Sequence, residues 1–126
     1  MRLRNSRIPL RVLVVEDDDG AAQLLQAILE PEAGITLLGR ARHGRQALTM
    51  AGALNPDVVL MDLNMPVMGG VEAIRRLRKV GSTARIVVTT GVNDAAMLQE
   101  AREAGADAVV AKPPSRDELL PAIVRP

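Results

Sequence analysis

Short apolar runs alternate with amphipathic segments along most of the chain. The apolar runs are rich in Val, Leu and Ile and lack polar alternation, which predicts strands buried on both faces. The amphipathic segments carry apolar residues three and four positions apart, as a surface helix does. The predicted strands cover residues 10–15, 35–39, 58–61, 86–89 and 108–111. The predicted helices cover residues 19–30, 44–54, 71–80, 94–104 and 115–124.

Turn and cap residues separate these elements. Pro31 and Gly34 end the first helix, Asn55 opens the turn after the second, and Gly105 ends the fourth. Ser115 is placed to cap the last helix. Five strand and helix pairs joined by short links predict right-handed crossovers, and therefore an α/β domain with a parallel sheet covered by helices on both faces.

Two helices have apolar stripes clear enough to predict which residues are buried. The stripe of the first helix comprises Leu24, Leu25, Ile28 and Leu29. That of the third comprises Val71, Ile74 and Leu77, which leaves Arg75, Arg76, Arg78 and Lys79 facing water.

Composition narrows the class of protein. The 126 residues fit one domain. The 48% of apolar residues argues against disorder. The formal net charge of +1 argues against a strong electrostatic field that would attract nucleic acid or membrane. With no cysteine, disulfides, thiolate zinc sites and cysteine nucleophiles are excluded. With no aromatic residue, base stacking is excluded and the core must be aliphatic and Met-filled.

The remaining sequence features carry weaker expectations. His43, the sole histidine, follows the second strand in a basic stretch, so a solvated loop residue is favoured over a phosphohistidine. Residues 1–8, with Arg2, Arg4 and Arg7, are expected to form a flexible basic leader, and residues 9–126 the domain. No apolar stretch approaches the roughly 18 residues of a spanning helix and no apolar signal core is present, so a cytoplasmic location is expected.

Charged residues follow three of the predicted strands. Glu16, Asp17 and Asp18 follow the first, Asp62 the third and Lys112 the fifth. Each acid alone is explained by ordinary surface chemistry, since Asp and Glu are common in loops and at helix N-termini. Ligands of open parallel sheets, however, bind outside the carboxyl ends of the strands. The repeated placement therefore favours a common site.

Such a site suits Mg²⁺, or Mn²⁺, because hard cations take oxygen ligands and Mg²⁺ keeps several waters. Asp17 and Asp62 supply two carboxylates, Glu16 can hold a bound water, and the backbone carbonyl of Asn64 can add a ligand. A carboxylate can also act as a nucleophile towards phosphorus, and Asp62 is favoured because it stands alone at its strand end, before a Pro/Gly loop that would open access.

A transferred phosphoryl group needs hydrogen-bond donors. The Lys112 ammonium, the Thr90 hydroxyl and backbone N–H groups near Asn64 and Gly91 can supply them. Lys112 stands out because only two of the sixteen basic residues are lysines. The alternatives are a solvated lysine, an ordinary strand-end threonine and an ordinary turn glycine.

The chain resembles the receiver domains of two-component response regulators, which have the CheY-like fold. The resemblance covers about residues 10–124. Five segments in order carry it, namely 14–18 (VVEDD), 62–70 (DLNMPVMGG), 88–91 (VTTG), 104–106 (AGA) and 112–113 (KP). It implies a flavodoxin-like, doubly wound, five-stranded parallel sheet in the order 2-1-3-4-5 with five helices.

The resemblance also implies roles for the residues. Asp62 is the phosphoacceptor, Glu16 and Asp17 are the acidic pair that holds Mg²⁺, and Asn64 is the metal-loop carbonyl. Lys112 binds phosphate, and counting back from Gly105 as the family pattern does selects Thr90 over Thr89 as the switch hydroxyl. A histidine kinase or phosphotransfer domain would donate the phosphoryl group and the receiver would hydrolyse it, so the chain is a slow switch and not a metabolic enzyme.

Three positions depart from the family pattern. Val109 stands where the family usually has Tyr or Phe, so the aromatic member of the switch is absent. Pro114 stiffens the link into the last helix. Gly69 stands where Asp is common. These departures affect the expected output through the fourth helix, fifth strand and fifth helix more than the phosphorylation chemistry.

Two other function classes remain open. One is an aspartyl-nucleophile phosphatase, although such enzymes typically need a second acid where Asn64 stands. The other is a pseudo-receiver, a binding module without phosphorylation. For the partners, the resemblance is compatible with an output domain or downstream protein and with a homodimer on phosphorylation. It implies no direct binding of nucleic acid or membrane by this domain. Stretch 35–41 is similar to receivers that carry a helix-turn-helix output.

Overall fold

A computed structural model describes residues 8–91 and 93–124, and the chain folds as alternating strands and helices throughout. The strands are β1 (Leu10–Val15), β2 (Ile35–Ala41), β3 (Val58–Met61), β4 (Arg85–Thr90) and β5 (Ala108–Ala111). The helices are α1 (Asp19–Leu29), α2 (Gly44–Leu54), α3 (Gly70–Lys79), α4 (Ala95–Ala104) and α5 (Arg116–Val124). Of the expected basic leader, only Ile8 lies within the described residues, and it is exposed.

The five strands form one parallel sheet in the order β2-β1-β3-β4-β5. One core cluster joins the sheet to α2, α3 and α4, and the other joins it to α1 and α5. The central strand β3 is buried at every residue, and its neighbours β1 and β4 are buried along most of their length, which explains their apolar sequence. The predicted α/β architecture and strand order are confirmed.

Two strands extend beyond their predicted ends. The sequence predicts that the second strand ends at Gly39, but β2 continues through Arg40 and Ala41, after a register shift opposite Val12 and Leu13. Likewise β4 runs from Arg85 to Thr90 and is one residue longer at each end than predicted. At Arg40 and Arg85 an arginine interrupts the apolar run, so the hydrophobic pattern alone misses these two positions.

Two predictions of exposure are wrong. Leu24 in α1 is 38% exposed, whereas Leu25 and Leu29 are buried. Arg78 does not face water as Arg75 and Arg76 do. Its guanidinium donates to the backbone carbonyls of Ser82, Ala84 and Gly105 and pairs with the Asp107 carboxylate.

Side-chain caps fix where the helices start. Ser115 accepts from the backbone N–H of Glu118 at the start of α5, which confirms the predicted cap. Asp18 accepts from the backbone N–H of Ala21 and caps α1, which was not predicted. His43 lies in the loop before α2 and is partly exposed, as expected of a loop residue. The sequence did not predict that its Nδ1 accepts from the Gln46 N–H and caps α2.

Among the described residues, none of the helices has the length and apolar content needed to cross a bilayer.

Candidate functional site

The carboxyl ends of β1, β3 and β5 bring three acids and one lysine together. Carboxylate oxygens of Glu16, Asp17 and Asp62 all lie within 4.8 Å of one another. Lys112 Nζ lies 2.5 Å from Glu16 Oε1 and 3.3 Å from Asp62 Oδ1. Because these strands are parallel and adjacent or nearly so, residues far apart in the sequence meet at one edge of the sheet.

Asp62 is the most perturbed acid of the site. It is 3% exposed, and burial together with the Glu16 charge raises its pKa to about 6, although the Lys112 ammonium opposes the shift. A backbone N–H, that of Asn64, donates to Asp62 Oδ1 over 3.3 Å. The sequence-based expectation that a Pro/Gly loop leaves Asp62 openly accessible is therefore wrong, since Asp62 lies in the sheet edge with its neighbours packed around it.

Lys112 is held as a cation between two acids. Burial acts to lower its pKa, but the hydrogen bond to Glu16 and the charges of Asp62 and Glu16 outweigh that effect, and the net pKa is raised. The Lys112 backbone N–H also donates to the Thr90 carbonyl over 2.9 Å, which ties the lysine to the end of β4. The ammonium is therefore charged at physiological pH and aimed at the carboxylates.

Glu16 organises the acidic loop between β1 and α1. It is fully buried, with Oε1 paired to Lys112 and Oε2 accepting from the Asp18 N–H over 3.1 Å. Its backbone N–H donates to the Ala41 carbonyl, which continues the ladder between β1 and β2 by one residue. Asp17, in contrast, is exposed at the mouth of the site.

The loop after Asp62 is anchored on both sides by glycines. The Gly44 N–H, at the start of α2, donates to the Met68 carbonyl over 3.1 Å, and the Gly70 N–H donates to the Leu63 carbonyl over 3.0 Å. A Cβ at Gly70 would overlap the Asp62 carbonyl, and one at Gly44 would lie 2.6 Å from the Met68 carbonyl oxygen. Close backbone approach therefore requires glycine at both positions.

The remaining sequence-predicted residues lie around the same edge. Thr90 is buried at the end of β4, and Gly91 follows it as an exposed residue. Asn64 is exposed in the loop after Asp62. Val109 is half-buried on β5 opposite Val88 and packs on the core beneath α2, α3 and α4.

The donor set fits a divalent magnesium-like cation. Three ionised carboxylates and one ammonium leave a formal charge of −2, which one such ion balances. The three acids offer carboxylate oxygens as metal ligands, which Mg²⁺ prefers. Because Asp17 is exposed, one side of the site is open to the waters that Mg²⁺ retains. Glu16, Asp17 and Asp62 are the residues that would hold it.

Sequence reasoning missed two contacts. One is the ion pair between Glu16 and Lys112. The other is Arg40, whose Nε donates to the Glu16 carbonyl over 2.8 Å. For the first, the clustering of opposite charges at strand ends was a usable signal. For Arg40 there was none, because the residue lies beyond the predicted end of its strand.

Comparisons with known proteins agree with this geometry. A family model described as the response regulator receiver domain matches residues 12–124. The chemotaxis protein CheY of Thermotoga maritima is 39% identical over 108 residues, which cover 84% of this chain and 89% of that protein. The nitrate/nitrite response regulator protein NarL of Escherichia coli is 32% identical, and the match covers 91% of this chain but 53% of that longer protein.

A solved structure gives the same result for the fold. The signal receiver domain of the response regulator NarL from Mycobacterium tuberculosis superimposes with a TM-score of 0.88 at 26% identity, covering 92% of this chain and 94% of that domain.

Proposed function

Because the chain belongs to the receiver domains of two-component response regulators, we propose that Asp62 accepts a phosphoryl group from a histidine kinase or phosphotransfer domain. The observation that carries the proposal is the meeting of Glu16, Asp17, Asp62 and Lys112 at one sheet edge. The proposed activity is limited to the domain's own phosphorylation and dephosphorylation.

The transfer is a displacement at phosphorus. A carboxylate oxygen of Asp62 attacks the phosphorus of the donor phosphohistidine, the new P–O bond forms as the P–N bond breaks, and the departing imidazole nitrogen takes up a proton. Water later attacks the same phosphorus, which releases inorganic phosphate and restores the carboxylate. A bound Mg²⁺, or Mn²⁺, supplies charge neutralisation for the phosphoryl oxygens.

The chain's own donors complete the site. Lys112 already lies 3.3 Å from the Asp62 carboxylate, so its ammonium can turn from Glu16 to a phosphoryl oxygen without crossing the site. The Asn64 N–H, which now donates to Asp62, and the backbone N–H groups near Gly91 face the same oxygens in this proposal. The Thr90 hydroxyl is the proposed switch group, since it ends the strand next to β3.

The output is proposed to pass through α4, β5 and α5. Lys112 follows β5 directly, and its backbone N–H donates to the Thr90 carbonyl at the end of β4. Movement of the Lys112 ammonium or of the Thr90 hydroxyl towards the phosphoryl group would therefore shift the ends of both strands. Val109 offers no aromatic ring there, and the change is proposed to run through the backbone and Thr90. A downstream protein, an output domain or a second copy of the chain would be the reader of that face.

The test is labelling by a small phosphodonor. Acetyl phosphate with Mg²⁺ should add the mass of one phosphoryl group to the wild type and none to Asp62→Asn, as read by intact-protein mass spectrometry. Asp117→Asn, at an exposed acid of α5, is the matched control and should be labelled normally. Undiminished labelling of Asp62→Asn would overturn the proposal, turnover of small phosphate esters would favour the phosphatase, and no labelling of the wild type would favour the pseudo-receiver.

A further inference from the structure

Arg40 makes contacts that its position on an edge strand does not require. Its Nε donates to the Glu16 carbonyl over 2.8 Å, and its Nη1 pairs with Asp19 Oδ1 at 2.8 Å. The side chain is 24% exposed, well covered for an arginine on an edge strand. Arg42, two residues on, pairs with the same Asp19 oxygen at 3.1 Å, and it is Arg40 that bonds to Glu16.

These contacts enclose the acidic loop. Glu16 precedes and Asp19 follows the dipeptide Asp17-Asp18, so one guanidinium holds both ends of the turn that leaves β1. The N–H of Glu16 is bonded to Ala41, so both backbone polar groups of Glu16 are bound by the last residues of β2. Asp17 is exposed, and packing does little to fix its direction. The direction of its carboxylate therefore depends on the backbone that Arg40 restrains.

We propose that Arg40 is a positioning residue for the divalent cation, one that fixes the loop between β1 and α1 so that Asp17 faces Glu16 and Asp62. The proposal rests on the proposed function, because the cation is the one that would assist phosphorylation. Arg40 touches neither the cation nor the phosphoryl group in this role. It acts through the Glu16 peptide and the Asp19 carboxylate, as residues that orient metal ligands do.

Electrostatics alone gives the opposite expectation. Arg40 and Arg42 are cations near an acidic site, so removal of either charge should strengthen cation binding if only charge mattered. A positioning role requires weaker binding when Arg40 is lost. Moreover, Arg40 Nη2 is buried without an acceptor among the described residues, a cost that stability alone does not explain.

The experiment compares Arg40→Met with Arg42→Met. Both remove one positive charge and one contact to Asp19, and Arg40→Met alone removes the hydrogen bond to Glu16. Isothermal titration with MgCl₂ should show about tenfold weaker binding for Arg40→Met, the lower end of the range for residues that orient metal ligands. Arg42→Met should bind Mg²⁺ within about twofold of the wild type or more tightly. Titration calorimetry is used because the chain has no aromatic residue to report by fluorescence.

Thermal unfolding followed by circular dichroism separates positioning from a general loss of stability. A purely structural role would lower the melting temperature equally in EDTA and in Mg²⁺, whereas positioning also reduces the rise that Mg²⁺ produces. Arg40→Lys keeps the charge but has one ammonium for two acceptors, so Mg²⁺ affinity should recover in part. That variant also carries the test if Arg40→Met does not fold.

Mg²⁺ binding by Arg40→Met as tight as that of the wild type, with an unchanged Mg²⁺-dependent rise in melting temperature, would overturn the proposal while leaving Asp62 labelling intact. If Arg40→Met does not fold, the same result for Arg40→Lys would overturn it. The proposed function fails separately if the wild type binds Mg²⁺ in an Arg40-dependent manner yet is never labelled by acetyl phosphate. A wild type that binds no Mg²⁺ overturns both.

Discussion

At the scale of single residues, the site combines burial with like charge. Asp62 and Glu16 are both almost fully buried, yet one ammonium, that of Lys112, serves both carboxylates. Burial of a carboxylate is costly unless it is paired and hydrogen-bonded, and two acids that share one cation are under-compensated. The raised pKa of Asp62 is the measurable sign of that deficit. A bound divalent cation would relieve the same deficit.

Replacement of Asp62 by Asn should therefore stabilise the metal-free protein at neutral pH. The folded-state pKa of Asp62 is about 6, above its usual 3.8, so the fold favours the protonated form, and the associated stability is lost as the pH rises through about 6. Asn resembles the protonated acid at every pH. We expect Asp62→Asn to raise the free energy of unfolding by about 1 to 3 kcal/mol at about pH 7.5 in EDTA, measured by urea titration.

The stabilising effect of Asp62→Asn should depend on pH. Towards about pH 4.5 the wild type protonates Asp62, so the advantage of Asp62→Asn should shrink severalfold. Asp117→Asn, at an exposed acid, should show no comparable change. A variant that is less stable than the wild type at neutral pH would mean that the lost partner of Lys112 outweighs the relief of buried charge.

At the scale of elements, α2 positions the loop that follows Asp62. This helix contains two glycines in different surroundings: a Cβ at Gly44 would lie 2.6 Å from the Met68 carbonyl oxygen, whereas one at Gly52 would meet nothing within 4 Å. Gly52→Ala should stabilise the fold by about 0.5 to 1 kcal/mol, the propensity gain in a helix. Gly44→Ala should destabilise it by roughly 1 to 2 kcal/mol, because the loop must move.

Chemical denaturation measures both effects, and labelling by acetyl phosphate adds a functional readout. Gly44→Ala should also slow labelling, since the displaced loop carries Asn64, whose N–H faces Asp62. Gly52→Ala should be labelled at the wild-type rate. Equal stability of the two variants would show that the contact between Gly44 and Met68 is not restrictive.

A second element-scale prediction concerns Arg78, which joins the end of α3 to the start of β5. Its guanidinium satisfies the Ala84 carbonyl at 2.7 Å and the Gly105 carbonyl at 2.8 Å, and it pairs with Asp107 at 3.0 Å. Arg78→Met would remove the guanidinium from the part-buried carbonyls of Ala84 and Gly105, whereas Asp107 would keep the Ile86 N–H as a donor. We expect a loss of roughly 2 to 3 kcal/mol in the free energy of unfolding, measured by urea titration.

The matched control for Arg78 lies on the same helix. Arg76 is exposed and pairs with Glu72 at 2.9 Å, one turn away. Arg76→Met should therefore cost no more than about 0.5 kcal/mol. If the two variants lose equal stability, the Arg78 contacts contribute no more than an ordinary surface pair.

Arg40 and Arg78 show where sequence pattern stops being informative for elements. Hydrophobic period located every strand and helix, because the sheet is buried on both faces and each helix has an apolar stripe. The period treats arginine as a solvent-facing residue. Both arginines instead use long side chains to reach backbone carbonyls of distant segments. Such contacts depend on tertiary placement, which the hydrophobic period does not report. For Arg40 the predicted strand also ended too early, at Gly39, and so left the residue out.

At the scale of the whole molecule, topology explains why so much of the site was predictable. The order β2-β1-β3-β4-β5 places the ends of β1 and β3 side by side, so Asp17 and Asp62 were expected to meet, and their carboxylates do. The burial of Asp62 and the preference of Lys112 for Glu16 were not predicted. Both depend on how β5 and the loop after β3 close over the sheet edge, which no local pattern encodes.

Because three strands contribute charge to one site, cation binding should be linked to global stability. Mg²⁺ binds the folded arrangement of Glu16, Asp17 and Asp62 and not the unfolded chain, so it should raise the melting temperature at about pH 7.5 in a concentration-dependent manner. As the pH falls through about 6, Asp62 gains a proton that the cation must displace. The Mg²⁺-dependent rise in melting temperature should therefore become smaller, because the affinity for Mg²⁺ falls by up to about tenfold per pH unit.

Differential scanning calorimetry at matched ionic strength, with NaCl replacing MgCl₂, isolates the specific effect from screening. Asp62→Asn should bind Mg²⁺ more weakly and lose most of the pH dependence between about pH 5 and 7.5, since its side chain does not titrate there. A Mg²⁺-dependent rise that stays constant over this pH range in the wild type would place the cation away from Asp62. Such a result would separate the site of metal binding from the proposed site of phosphorylation, although both lie at the same edge of the sheet.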